Sequence, residues 1–231
     1  MNEFPIIKIN NLIKDYAMVK QSFRALNDVN LSFHRGEFCG LVGPSGSGKT
    51  TLLNIIGALD NPTSGDAIVM NKSVNTLSHK EAAKMRTESI GFIFQTYNLL
   101  PVYSVFENVE FPLLLLKKNK TEREEAVMRA LEWVGLSDKA NSRPNQLSGG
   151  ESQRVAVARA MVKLPKIVLA DEPTANLDAA NSHNILKTMQ SLNHDLKTTF
   201  IFATHDEKVI GYLHRKVVLN DGKVVHDIIV N

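Results

Sequence analysis

Eight consecutive residues, Gly43-Pro44-Ser45-Gly46-Ser47-Gly48-Lys49-Thr50, constrain this chain more than any other stretch. They fill the pattern G-x-x-x-x-G-K-[ST] completely. Glu37-Phe38-Cys39-Gly40-Leu41-Val42 before them reads as a strand, and Thr51-Leu52-Leu53-Asn54-Ile55-Ile56 after them reads as a helix. A glycine-rich turn between a strand and a helix lets backbone N–H groups point inward around phosphates. The helix N-terminus adds a favourable dipole. Lys49 is placed to reach the β- and γ-phosphates and Thr50 to hold Mg²⁺. A chance lysine in an ordinary turn would need neither flanking element.

A second feature supports this reading. Ile167-Val168-Leu169-Ala170 is a continuous apolar run of strand length, ending in Asp171-Glu172. Such a strand is buried on both faces. Its end lies at the carboxyl edge of the sheet, where ligands bind in open α/β folds. Alternation along the strand points the two carboxylates differently. Asp171 suits the Mg²⁺ shell, and Glu172 suits a general base that orients water. A solvated strand end is an equal reading of these residues alone, but not when they are paired with the phosphate loop.

A third feature is Leu147-Ser148-Gly149-Gly150-Glu151. Ser148 is an expected N-cap for a helix running from about Glu151 to Lys163. Gly149 and Gly150 leave N–H groups open at a positive helix end, so the segment reads either as a second anion site or as a capped helix start with no ligand.

The length of 231 residues suffices for a sizeable core. The formal net charge of +3 is too small to argue for nucleic acid or an acidic membrane surface. A lone cysteine, Cys39, excludes a disulfide framework, fits a reducing compartment, and reads as a small buried hydrophobe. Met1-Asn2-Glu3-Phe4-Pro5 lacks a basic start and apolar core. Leu113-Leu114-Leu115-Leu116 is far short of the ~20 residues that span a bilayer. The expectation is a soluble chain that needs a partner for any membrane role.

Residues 6–42 read as β-rich, with His34-Arg35-Gly36-Glu37 as a turn. Residues 72–163 read as helical. Thr121-Glu122-Arg123-Glu124 predicts a capping box opening a helix that Gly135 closes. A helix with Ile185, Leu186, Met189 and Leu192 follows the 167–170 strand, and Phe200-Ile201-Phe202-Ala203 is another buried strand. Asn220-Asp221-Gly222 between two valine-rich runs predicts a hairpin. Strand–helix–strand order at both ends implies an α/β core with parallel strands, into which the helical middle is inserted.

Leu147-Ser148-Gly149-Gly150-Glu151-Ser152-Gln153-Arg154-Val155-Ala156 resembles the signature of ATP-binding cassette (ABC) ATPases. Other elements of that family stand in order along the whole chain. Tyr16 matches the aromatic that stacks on adenine, and Gln95, in Gly91-Phe92-Ile93-Phe94-Gln95, the Q-loop glutamine. Asn176-Leu177-Asp178 matches the D-loop, and His205, in Ala203-Thr204-His205-Asp206, the switch histidine. Each alone has a plainer reading: core aromatic, surface glutamine, helix cap or structural histidine.

The resemblance implies a P-loop NTPase of α/β class with ABC architecture. That is a mixed α/β RecA-like core with an N-terminal antiparallel β subdomain (1–95 and 164–231) and an inserted α-helical subdomain (about 96–163), forming one domain over 1–231. It implies that ATP is held by Tyr16, by residues 43–50 and by Thr51. Mg²⁺ would be held by Thr50, Gln95 and Asp171, and catalysis would involve Lys49, Gln95, Glu172 and His205. It further implies a head-to-tail homodimer in which Ser148, Gly149, Gly150 and Asp178 act on ATP in the partner copy. Chain length alone also permits a same-chain site, since the signature helix is only ~20 Å long.

Leu53-Asn54-Ile55-Ile56-Gly57-Ala58-Leu59-Asp60, Ile90 to Pro101 and Ala170 to Asp178 resemble the LolD/MacB/FtsE-type ATPases. These serve permeases that release lipoproteins, export peptides, drugs or lipids, or transmit force. The resemblance implies a cytoplasmic, peripheral location at the inner membrane and permease docking near Gln95–Leu116. Val105 to Val109 and Phe111 to Leu114 would offer an apolar surface there. A soluble cassette acting on DNA or ribosomes would carry a long coiled coil or a second cassette, and this chain has neither. A non-hydrolysing switch is disfavoured by the intact Glu172. Departures from the pattern are small: Ala175, Thr50, Glu151 and Ser152 replace commoner residues.

Overall fold

The computed structural model describes residues 4–17 and 22–230. The reading of the N-terminus therefore lies in part, at Met1 to Glu3, outside the described residues. In chain order the elements are β1 (Ile7–Ala17), β2 (Ser22–Phe33), β3 (Phe38–Val42), α1 (Lys49–Ile56), β4 (Ser64–Val69), β5 (Lys72–Ser73), α2 (His79–Ser89), β6 (Ile90–Ile93), α3 (Val105–Leu115), α4 (Lys120–Trp133), α5 (Gly149–Met161), β7 (Ile167–Asp171), α6 (Ala179–Leu196), β8 (Thr199–Thr204), α7 (Glu207–Ile210), β9 (Arg215–Asn220) and β10 (Lys223–Ile229).

The strands form two sheets. One has the order β2-β1-β4-β5 and is antiparallel. The other has the order β10-β9-β3-β8-β7-β6 and is parallel from β9 to β6. Strand alternation explains how the larger sheet buries both faces. Phe38, Val168, Ala170, Phe200 and Phe202 face a cluster with α3 to α6. Cys39, Leu41, Ile167, Leu169, Ile201 and Ala203 face one with α1, β1 and β2. Two covered faces are what a parallel sheet requires. They also put the carboxyl ends of β3, β7 and β8 along one edge. Cys39 is fully buried there, and burial pushes its thiol well up.

Two helical expectations need correction. The stretch 72–163 is not helical throughout: Ile90-Gly91-Phe92-Ile93 forms β6 and pairs with β7. A buried apolar run of four residues carries no periodicity that separates strand from helix. The capping box of α4 is Asn119 with Glu122, not Thr121 with Glu124. The Asn119 side chain accepts the Glu122 N–H at 2.9 Å, and the Glu122 carboxylate accepts the Asn119 N–H at 3.1 Å. Asparagine caps as well as threonine does, and the earlier start keeps Val127, Ala130 and Leu131 buried. The C-terminal hairpin stands as expected: Asp221 and Gly222 both take positive φ, and Lys223 pairs with Asn220. Among the described residues no helix is long and apolar enough to cross a membrane.

Candidate functional site

The loop 43–50 joins β3 to α1 as its sequence predicts. Gly48 caps α1 in a left-handed conformation (φ 99°), with no side-chain cap and no acidic residue in the first turn. A Cβ here would press on the Ala25 carbonyl at 2.5 Å, so only glycine fits. Lys49 is 7% exposed. Its ammonium donates to the carbonyls of Gly43 at 2.7 Å and Pro44 at 2.8 Å. Burial lowers its pKa, and the nearby charges of Glu172 and Asp171 push it back up. Ser47 Oγ is buried and has no hydrogen-bond partner, an orphaned group of the kind a ligand oxygen satisfies.

Thr50 Oγ1 donates to Asp171 Oδ1 at 3.2 Å, which joins the loop to the end of β7. Burial raises the Asp171 pKa, the Thr50 hydroxyl lowers it, and Glu172 raises it again. Two hard oxygens side by side suit Mg²⁺, which binds through few protein oxygens and keeps water or phosphate for the rest. No group of three or more His, Cys, Asp or Glu among the described residues could hold a metal alone. The Thr50 and Asp171 oxygens suit an ion that arrives with phosphate.

Asp171 and Glu172 diverge for a different reason from simple strand alternation. Glu172 stands past the strand end with φ 45°, its N–H donating to Ala203 O at 2.9 Å. This left-handed turn aims its carboxylate at the end of β8. There Thr204 Oγ1 donates to Oε2 at 3.1 Å, and His205 Nδ1 meets Oε1 at 2.6 Å. Lys49, Thr50, Asp171, Glu172 and His205 thus converge on one sheet edge, from three loops.

Tyr16 lies beside α1, 38% exposed, with its hydroxyl on Asp60 at 2.9 Å and Thr51 close by. Lys14 sits 4.8 Å from the ring centroid. Burial and the Asp60 hydrogen bond raise the phenol pKa. Gln95 is exposed, and its carbonyl accepts from Asn176 Nδ2 at 3.0 Å.

The signature residues lie elsewhere. Ser148 caps α5 reciprocally: its hydroxyl accepts the Glu151 N–H at 3.2 Å, and Glu151 accepts the Ser148 N–H at 2.8 Å. That N–H, with the Ser148 hydroxyl, holds the Glu151 carboxyl below its ordinary range. The helix therefore begins at Gly149 rather than Glu151. Gly149 backs onto Tyr97 and Asn176, and Gly150 onto the Asn181 amide; neither backs onto the loop 43–50. Asp178 caps α6 by accepting the Asn181 N–H at 2.8 Å.

One residue of this network escapes sequence reasoning. Gln153 is fully buried on α5 and donates from Nε2 to Pro173 O at 2.7 Å, while its Oε1 has no partner. It links the signature helix to the turn that carries Glu172. A lone glutamine on a helix gives no signal of this, because its partner is twenty residues on.

An apolar groove of about 400 Å³ lies between α2, α3 and α5. Leu59, Phe92, Leu100, Phe111 and Leu115 line it. Behind it the buried Asn108 fixes the Leu100 turn, accepting the Leu100 N–H at 2.7 Å and donating to the carbonyls of Leu100, Tyr103 and Ser104. Of the apolar surface expected here, Val105, Val109 and Leu113 are core instead.

Comparison with known proteins agrees with this architecture. The family described as "ABC transporter" matches residues 26–175. The ABC transporter ATP-binding protein YknY of Bacillus subtilis is 44% identical over 95% of each chain. MJ0796 of Methanocaldococcus jannaschii, another ABC transporter ATP-binding protein, is likewise 44% identical over 95% of each chain. Its dimeric post-hydrolysis structure with ADP and Pi superposes at TM-score 0.90 with 41% identity, covering 97% of this chain and 99% of that one. A Clostridium perfringens cassette described as part of an ABC transporter complex, cbiO1, superposes at 0.87 with 32% identity, covering 97% and 88%. The loop, the paired acids, the signature helix and the whole two-sheet architecture are thus those of a known lineage, and the chain belongs to the ABC transporter family as an ATP-binding cassette.

Proposed function

We propose that this chain hydrolyses ATP as the motor subunit of a membrane transporter of the lipoprotein-release and export type. The observation that carries the reading is the Glu172 carboxylate, fixed between Thr204 and His205 at the edge that also bears Lys49, Thr50 and Asp171. A carboxylate held by two partners keeps one orientation, as a base that aligns an attacking water must. Phosphoryl transfer asks mostly for such positioning and for charge stabilisation.

Lys49 would exchange the carbonyls of Gly43 and Pro44 for phosphate oxygens, which are stronger acceptors. Tyr16, exposed beside Thr51, would stack on the adenine, and residues 43–51 would cradle the phosphates. Thr50, Asp171 and Gln95 would hold Mg²⁺, which neutralises phosphate charge when bound. Two copies would pair head to tail; the relative MJ0796 is dimeric in its structure with ADP and Pi. Ser148, Gly149, Gly150 and Asp178 of each would then close over the ATP of the other. The apolar groove, adjacent to Gln95–Leu116, would seat a cytoplasmic segment of the membrane subunit. Its position beside the Q-loop would let nucleotide state reach the membrane.

Changing Glu172→Gln tests the assignment of the base. Turnover should fall by about 10²- to 10⁴-fold. Gel filtration with ATP should show a trapped dimer. A variant that stays monomeric with ATP and turns over normally removes Glu172 from this role.

A further inference from the structure

The two turns that carry Glu172 and His205 are laced together behind those side chains. The turn after β7 brings Thr174, and the turn after β8 brings Asp206. Thr174 is buried, and its Oγ1 donates to Asp206 Oδ2 at 3.2 Å. The other carboxylate oxygen of Asp206, Oδ1, accepts the Lys208 N–H at 2.9 Å. Its backbone carbonyl accepts from Val209 and Ile210. Asp206 is therefore held from two sides, by Thr174 and by the start of α7.

That grip aims the Asp206 N–H, which donates to Thr204 Oγ1 at 3.0 Å. Thr204 is fully buried at the end of β8. A hydroxyl has one proton and two lone pairs. One lone pair here takes the Asp206 N–H, so the proton points away from it. The acceptor in reach is Glu172 Oε2, at 3.1 Å. A backbone group thus fixes Thr204 as a donor to Glu172. The last torsion of a glutamate is broad and roughly two-fold, so a carboxylate held at one oxygen alone would swing. With Oε2 tied to β8 and Oε1 facing His205, the plane of the Glu172 carboxylate is set.

We infer that Thr204 is a positioning residue for Glu172, and that Thr174 acts on it through Asp206. This rests on Glu172 as the base, proposed above. It adds the reason why that carboxylate keeps its direction: a relay of three hydrogen bonds from one turn to the other. Among the described residues no side chain of the three bonds to the loop 43–51. The relay therefore bears on turnover and not on the binding of ATP.

Steady-state ATP turnover of the full chain tests it. Thr204→Val keeps the shape and removes the hydroxyl. Its kcat should fall about tenfold, as expected for one positioning hydrogen bond, with KM for ATP within about twofold. An unchanged KM also reports a folded nucleotide site. Thr204→Ser keeps the hydroxyl and should recover most of the loss. Thr174→Val should cost about threefold alone and nothing further in the Thr204→Val background, because it acts through that hydroxyl. In the Glu172→Gln background Thr204→Val should likewise change nothing. The relay is overturned, and Glu172 stays the base, by a normal kcat in Thr204→Val, by a higher KM in place of a lower kcat, by a serine variant as slow as valine, or by additive losses in the Thr174→Val and Thr204→Val pair. Normal turnover in Glu172→Gln removes the base and the relay together.

Discussion

Two glycine-rich loops each open a helix in this molecule, and they end in opposite chemistry. At α1 the cap is Gly48, with no side chain to spend on the helix and no acid in the first turn. At α5 the cap is Ser148, whose hydroxyl takes one N–H while Glu151 takes another and adds a negative charge. The first terminus keeps its donors for a ligand; the second satisfies part of its own. A free helix start with a lysine attracts phosphate by itself. A capped start with a carboxylate attracts phosphate less, which favours the reading of Ser148–Glu151 as a capped helix start.

The largest expected effect on ATP binding follows from the first loop. Lys49→Ala removes the ammonium that would exchange the Gly43 and Pro44 carbonyls for phosphate oxygens, and ATP affinity should fall about ten- to a hundredfold. Fluorescent-nucleotide titration of the monomer reads this directly. Unchanged affinity would mean that the loop binds through its backbone alone.

Ser148→Arg tests the second loop by the same titration plus turnover. The bulky cation should block the closed dimer and abolish hydrolysis, while monomer binding of ATP stays within about twofold (a change of roughly 0.4 kcal/mol). Loss of monomer binding would put the signature in the same chain's site and end the contrast.

A smaller effect is expected at the link between the two loops. Gln153→Met keeps the volume, removes the donor to Pro173 and removes the orphaned Oε1. Melting temperature should hold or rise, because an unsatisfied buried carbonyl disappears. Turnover should drop roughly five- to tenfold, the equivalent of one positioning hydrogen bond. A parallel loss of stability and activity would make Gln153 merely structural.

What could be read beforehand follows how local each signal is. The phosphate loop, the strand ending at Asp171 and the Asp221-Gly222 turn are runs of neighbours whose chemistry is complete within ten residues. The start of α4 is ambiguous in sequence because two capping signals overlap there, Asn119 with Glu122 and Thr121 with Glu124, and the fold uses the first. β6 was hidden by its length of four residues. The direction of Glu172 depends on a left-handed backbone that no residue type announces. Gln153 and the cations that line the apolar groove, Arg86, Arg159 and Lys163, are invisible for the same reason: 153 with 173, and 86 with 159 and 163, meet only in space.

The groove cations give the last and smallest test, by pH. Lys163 titrates at about 8 in the fold, against its ordinary 10.5. Its charged form is therefore disfavoured in the folded state relative to the unfolded chain. The cost is full below pH 8, fades as pH rises toward 10.5, and is gone above it. At pH 7 it amounts to up to about 3 kcal/mol, less roughly 1 kcal/mol for the hydrogen bond to the Arg86 carbonyl. Lys163→Met should thus be as stable as the parent chain at pH 7, or more so. Denaturant melts from pH 7 to 10 should show that advantage shrinking as the parent's lysine loses its proton. An advantage that stays constant with pH would mean that Lys163 is solvated, and that this lysine, unlike Lys49 of the phosphate loop, is not a buried cation.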